Sequence, residues 1–396
     1  MSTSTPTPLS PAARAVVRVG GLSLLLDTTF FSVLSPLLAG YAESASLSEP
    51  EIGLLVAAYP LGFVLAAFPA GNLVSRRGPR AMLVVGLLTV AVSCALFGFA
   101  TTGPELIAFR FVQGVGGILA WASAMTWSQS VAPVDRRGEV AGKVLGMAVI
   151  GSIVGPVVGA LASVTGTLPV FVGLGLVFVG LAVVASRLPA PTVLGSPGWR
   201  HALGLLHDHR LRLGIWLLSF GGIVTGAIGT LAPLTLADVG VTATGTSLVF
   251  LAMAGAAALT SPRVGRRADR HGRAVVAVVV LSVGAVTMLL TGLVSRAGGP
   301  VALLVVLLVG GFVVLEAGYV PGSALIADGT ADAETSRGEI LALANLCWAI
   351  GMTAASLLSG VLLGRFGVVA PYAAVALCAL LTVPEFTVLA RRARTR

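Results

Sequence analysis

Charge is what this chain has least of. Only 10% of its 396 residues are Asp, Glu, Lys or Arg, while 56% are hydrophobic, a balance that excludes an ordinary soluble domain. Cysteine is nearly missing. Cys94, Cys347 and Cys378 each fall inside an apolar run, so they read as small buried hydrophobes and imply no disulfide framework. None of the four histidines sits in an apolar run, which argues against a histidine-based proton relay. No nucleophile–base pair, metal cluster or phosphate loop is present, so neither an enzyme nor a cofactor or metal is expected. The first fourteen residues have no apolar core and no cleavage site, which excludes a signal peptide; they read as a disordered tail.

What the chain does have is uncharged length. Apolar stretches recur at roughly 15–41, 51–73, 81–101, 105–130, 140–164, 168–188, 212–237, 245–262, 274–295, 300–327, 339–363 and 369–390. Most reach the ~20 residues a spanning helix needs. The fold class is therefore an all-α polytopic membrane protein with twelve transmembrane helices. The eighth stretch is the shortest and ends at Pro262.

The net charge of +9 invites a nucleic-acid reading, but its distribution argues against one. Of the 25 basic residues, 22 fall in alternate loops and the tails, from Arg14 and Arg18 to Arg394 and Arg396. Arg110 lies within an apolar run, and Arg296 and Arg365 alone fall on the other side. Such a bias predicts both termini in the cytoplasm, and the Arg-rich, Lys-poor composition fits the codon bias of a GC-rich bacterial genome, so the expected location is a bacterial cytoplasmic membrane. The polar stretch 189–211, with Pro189, Pro191 and Pro197, divides the chain near its middle. The expected organisation is a tail at 1–14, a six-helix bundle at 15–188, a linker at 189–211, a second bundle at 212–390 and a basic tail at 391–396. His207, Asp208 and His209 lie in that linker and read as solvated.

An internal repeat supports two halves. Gly71–Arg80 and Gly265–Arg273 are similar segments whose starts lie 194 residues apart, and Leu34-Ser-Pro-Leu37 and Leu231-Ala-Pro-Leu234 lie 197 apart.

Against this apolar background two acids stand out. Asp27 lies about nine residues into the first apolar run, or about 13 Å along a helix at 1.5 Å per residue, close to the middle of a ~30 Å hydrocarbon core. Glu316 is similarly placed in the tenth stretch, among Gly310, Gly311, Gly318 and Pro321, which predict a flexible or broken helix. A charge at that depth costs about 3 kcal/mol or more, and such residues mark functional sites by default. Arg110 sits about five residues inside the fourth stretch. It either snorkels to the surface or turns inward to pair with an acid, Asp27 being the natural candidate. Phe30, Phe31, Tyr59, Trp121 and Tyr319 are candidates to line a cavity and stack on an organic cation. Glu385, near Arg391 and Arg392, reads as an interfacial charge.

These features resemble the major facilitator superfamily. Gly265, Asp269, Arg270, Gly272 and Arg273 match its loop signature G-x-L-A-D-R-x-G-R, with Arg267 in place of Leu. Gly71, Arg76, Gly78 and Arg80 match more loosely, with Ser75 where the family has Asp. Arg110, Gln113 and Gly114 are similar to its R-x-x-Q-G element. Gly151, Gly155, Pro156 and Gly159 resemble the G-x-x-x-G-P-x-x-G motif of drug/proton antiporters. Asp27 within Leu-Leu-Leu-Asp, and Glu316 five residues before Pro321, are similar to acids of vesicular amine transporters and bacterial multidrug exporters. The resemblance implies two six-helix bundles and a monomer. It implies export of small lipophilic or cationic molecules against protons, the only coupling ion expected, with Asp27, Glu316 and Arg110 as coupling residues. It leaves two alternatives: export of a neutral or sugar-like metabolite, and a transport-inactive scaffold or sensor on the same fold.

Overall fold

The computed structural model describes residues 8–133, 136–190, 207–330 and 334–394, with the side chains of 334–339, 341 and 392–394 left aside. The expected tail at 1–7, the linker centre at 191–206 and the final residues 395–396 lie outside the described residues.

Among the described residues, twelve helices or helix pairs are long and apolar enough to cross a membrane. They are α1 Pro11–Ser44, α2 Glu49–Arg77, α3 Pro79–Phe99, α4 Gly103–Ser130, α5 Arg137–Thr165, α6 Thr167–Arg187, α7 His209–Asp238, α8 Ala243–His271, α9 Arg273–Arg296, α10 Val301–Glu316 with α11 Tyr319–Gly329, α12 Glu334–Phe366 and α13 Val369–Arg394. α1 begins inside the expected tail. Ser10 accepts from the Ala13 amide at 3.1 Å, and Pro11 stands first in the helix, where its missing N–H costs nothing. At the other end α13 continues through Arg394, so the basic tail is helical up to that residue.

One expectation about breaks is corrected. Pro262 does not end α8, which continues to His271. The Thr260 and Ser261 hydroxyls bond back to the Ala256 and Ala257 carbonyls just before the proline, a local pattern that bends a helix without ending it. His209 and His271, expected outside helices, are the first residue of α7 and the last of α8. The tenth stretch does break, at Ala317 and Gly318, directly after Glu316. Pro321 has no N–H to return to the Ala317 carbonyl, and the Val320 amide takes that oxygen at 3.2 Å instead.

The chain forms two compact units: Met1–Leu34 with Leu61–Ser196, and Ser35–Pro60 with Pro197–Arg396. The division is not the simple midpoint cut that the linker predicts. The end of α1 and the start of α2 belong with the second unit, because α2 and α12 interlock through glycines. A Cβ on Gly53 would stand 2.6 Å from the Ser356 carbonyl oxygen, and one on Gly360 would stand 2.4 Å from that of Glu49.

In the first unit an edge-to-face trio, Phe30, Phe97 and Phe171, has ring centroids 5.4 to 6.2 Å apart and ties α1 to α3 and α6. In the second, α7 is buried around most of its circumference, and its Leu217, Phe220, Val224, Ile228 and Leu231 form the core.

The repeated loop signature occupies the α2–α3 and α8–α9 turns. Gly78 and Gly272 adopt φ of 86° and 91° there, a region that favours glycine. Gly71 and Gly265 lie inside helices, so only the second glycine of each signature makes the turn. Arg80 donates to the Leu188 carbonyl at the end of α6 at 2.9 Å, and Arg273 to the Ala324 carbonyl of α11 at 2.8 Å. Asp269, the acid of the second loop signature, is exposed, as is Arg270; the acid that meets Arg273 is Asp328.

Candidate functional site

α1 presents three faces to three different neighbours. One runs antiparallel along α4: a Cβ on Gly20 would lie 2.5 Å from Ser128 Oγ, and Asp27 lies beside Trp121. A second packs on α5. Cβ atoms on Gly151 and Gly155 would lie 2.1 Å from Thr28 Oγ1 and 2.4 Å from Ser32 Cβ, so the small-residue motif lets the two backbones meet. Thr28 and Thr29 then donate to the Ala148 and Gly151 carbonyls at 2.9 and 3.3 Å. Pro156 and Gly159 are buried on the same helix. The third face carries Phe30 into the aromatic core.

Held on these faces, Asp27 is fully buried, and Trp121 Nε1 donates to its Oδ2 at 2.8 Å. A buried carboxylate needs such a donor. Trp121 was singled out in the sequence only as an aromatic wall; its N–H is what matters to Asp27.

Arg110 is 2% exposed, so it does not snorkel. Its guanidinium donates to the Phe30 and Phe31 carbonyls at 3.3 and 2.7 Å and to Gln113 Oε1 at 2.5 Å, and lies within 6 Å of both phenyl centroids. It thereby fastens α4 to α1 about one turn beyond Asp27. Gln113 is its buried partner, and Gly114 is buried beside it. Phe30, expected in a cavity wall, is 1% exposed and belongs to the core trio; Phe31 is half-buried.

In the second unit, Glu316 ends α10 with its Oε2 buried and accepting no hydrogen bond among the described residues. Gly221 of α7 and Trp348 of α12 stand against it. A Cβ on Gly221 would lie 3.8 Å from Glu316 Oε2, 3.9 Å from Trp348 Cδ1 and 4.0 Å from Trp348 Nε1. Sequence reasoning missed Gly221 and Trp348, since neither belongs to a motif. Tyr319 opens α11 and is exposed, while Tyr59 is buried in the same unit. Glu385 lies with His209, Arg212, Trp216 and Thr382 around an open groove between α7 and α13. Trp216 Nε1 donates to Thr382 Oγ1 there at 3.0 Å.

Known proteins agree with this architecture. A bacterial homologue of the human lysosomal transporter Spinster, solved in an inward-facing and occupied conformation, superposes with a TM-score of 0.81 over 97% of this chain and 98% of that one. At 14% identity it speaks to fold alone. The multidrug resistance protein MdtG of Proteus mirabilis is 28% identical over 285 residues, covering 67% of this chain and 70% of that protein. The staphyloferrin B transporter of Staphylococcus aureus is 32% identical over 160 residues, 39% of this chain and 38% of its own length. An uncharacterized MFS-type transporter of Mycobacterium tuberculosis is 30% identical over 182 residues, 46% of this chain and 31% of that protein's length. The family model described as Major Facilitator Superfamily matches residues 20–236 and 213–396. The chain therefore belongs to the major facilitator superfamily, a family of transporters rather than enzymes.

Proposed function

We propose that this transporter exports small lipophilic cations in exchange for protons across a bacterial cytoplasmic membrane, with both termini inside. The observation that carries the reading is a pair of carboxylates, Asp27 and Glu316, one in each compact unit, each within an otherwise uncharged stretch of helix. In so apolar a setting a carboxylate is stable when it holds a proton or when it holds a cation, but not both. Protons loaded from outside are released inside as the substrate's positive charge displaces them. The substrate then leaves on the other side as the two halves alternate access. The multidrug name of the Proteus relative and the antiporter-like motif on α5 support a drug-like cargo leaving the cell.

Purified protein in proteoliposomes, given an imposed pH gradient and a panel of lipophilic cations and matched neutral amphiphiles, tests it. The expected result is uphill cation accumulation accompanied by counter-movement of protons. Cation transport with no proton movement, or uphill transport of neutral compounds alone, overturns it.

A further inference from the structure

α7 contains several glycines, and most are required by packing. A Cβ would stand 2.8 Å from the Gly322 carbonyl oxygen at Gly214, 2.0 Å from that of Trp348 at Gly222 and 2.4 Å from that of Met352 at Gly226. These glycines let α11 and α12 approach the α7 backbone. Gly221 and Gly229 are different. A methyl group at either would meet nothing closer than 3.8 Å; at Gly229 the neighbour is only Val56 Cγ1, whereas at Gly221 the three nearest atoms are a carboxylate oxygen and two atoms of an indole. Helix packing does not require Gly221, and alanine is the better helix former. What it leaves is a gap about one heavy atom wide, faced by an acceptor and an aromatic ring.

The acceptor is the second observation. Glu316 Oε2 is buried and accepts no hydrogen bond among the described residues. Glu316 also stands at the C-terminal end of α10, where the helix dipole presents negative charge and favours a cation. The Trp348 indole beside it is the best aromatic partner for a cation. A carboxylate, a helix C-terminus and an indole around a one-atom gap are complementary to one N–H of a compact ammonium.

We propose that Gly221 is a specificity-determining position, and that its missing side chain leaves a seat for a primary ammonium head between Glu316 Oε2 and the Trp348 indole. This deepens the cation-export reading and rests on it. A primary ammonium enters the gap and donates to Oε2. A quaternary head, carrying methyl groups on every side, is too wide for the gap and has no proton to donate, so it rests against the ring without entering. The wild type therefore prefers primary over quaternary heads on the same apolar tail.

The test is a binding titration on the purified full chain with phenethylamine, its N-trimethyl counterpart and the neutral phenethyl alcohol. Gly221→Ala fills the gap with one methyl and should weaken phenethylamine about tenfold, the loss of one charge-assisted hydrogen bond. It should leave the quaternary and neutral ligands within about twofold. Its melting temperature should equal or exceed that of wild type, because the Cβ fits and alanine favours the helix. Gly222→Ala, which drives a methyl into the Trp348 carbonyl, should melt lower and serves as the packing control. Equal losses for both amines, or no loss for phenethylamine, would overturn the seat at Gly221. Glu316→Gln separates this from the parent reading: it should weaken both amines and spare the alcohol. If it spares the amines as well, the cation reading of Glu316 itself fails. If it weakens them while Gly221→Ala does not discriminate, only the seat is wrong.

Discussion

The two halves solve the problem of a buried carboxylate in opposite ways. In the first unit Asp27 sits on α1 and takes a hydrogen bond from Trp121 of α4. In the second, the acid is on α10, and Oε2 of Glu316 faces the bare backbone of Gly221 on α7. The repeat relates the two arrangements. Asp27 and Gly221 lie 194 residues apart, and Trp121 and Glu316 lie 195 apart, both matching the spacing of the loop signatures. The acid has changed helices between the halves, and the position opposite it has gone from indole to nothing. One carboxylate is anchored by the protein. The other presents an oxygen to whatever enters. Under the cation-export reading, Asp27 is the carboxylate held more firmly by the protein, and Glu316 the one more open to a substrate's charge.

The largest effect expected is at the anchored acid. Asp27→Asn keeps the shape and can still accept from Trp121, yet it cannot exchange a proton. Uphill transport under an imposed pH gradient should vanish while expression and melting temperature hold. Accumulation at the wild-type level would remove Asp27 from coupling.

Next is the clamp on which that anchoring depends. Arg110→Ala withdraws the donors to the buried Phe30 carbonyl and Gln113 and to the part-buried Phe31 carbonyl. Hydrogen bonds from a charged donor are worth about 1.5–3 kcal/mol each, so the variant, which loses three of them, should melt well below wild type in detergent. Arg110→Lys, a point charge without the planar fork, should recover only part of the loss. Full recovery by Lys would show that charge, and not the two-carbonyl geometry, is what α1 needs.

How much of this was legible beforehand follows from what a helix reveals about itself. Length and hydropathy located the twelve spans, because the bilayer imposes the same length on each. Counting along a run was enough to place Asp27 and Glu316 at depth. Glycine spacing also located the α5 contact. Partners across helices were out of reach, since periodicity says which residues share a face but not which neighbour that face meets. Trp121 lies 94 residues from Asp27, and nothing in either segment names the other. The grouping of 35–60 with the second unit was hidden for the same reason, as it rests on Gly53 meeting α12. Pro262 misled because proline costs a helix one hydrogen bond without necessarily ending it.

Trp121→Phe makes the first half more like the second by taking away the Asp27 donor. Losing one hydrogen bond to a buried carboxylate is worth about 1.5–3 kcal/mol. The mutant should therefore transport at least about tenfold more slowly, and its pH profile should move relative to wild type. A slower mutant with an unmoved profile would mean that the indole only fills space.

The smallest effect concerns the loops, where the comparison can be sharpened with little risk to the fold. Arg80 and Arg273 stand two residues and one residue after the turn glycine of their loops and each donates to a carbonyl of a neighbouring helix, Leu188 at the end of α6 and Ala324 within α11, but among the described residues only Arg273 is seen to meet an acid, Asp328. If that ion pair is an addition to a shared carbonyl contact, Arg80→Gln and Arg273→Gln should differ only by the worth of the pair. The side chains are 27% and 42% exposed, so solvent screens the attraction and the pair contributes about 0–1 kcal/mol. Asp328→Asn should accordingly lower the melting temperature by no more than a degree or two, and adding Arg273→Gln to it should cost about as much as Arg80→Gln does alone. High salt should erase the difference between the two arginine variants, because screening weakens the ion pair far more than the carbonyl contact. A large loss for Asp328→Asn that persists in high salt would instead make the second loop a structural latch without a counterpart in the first half.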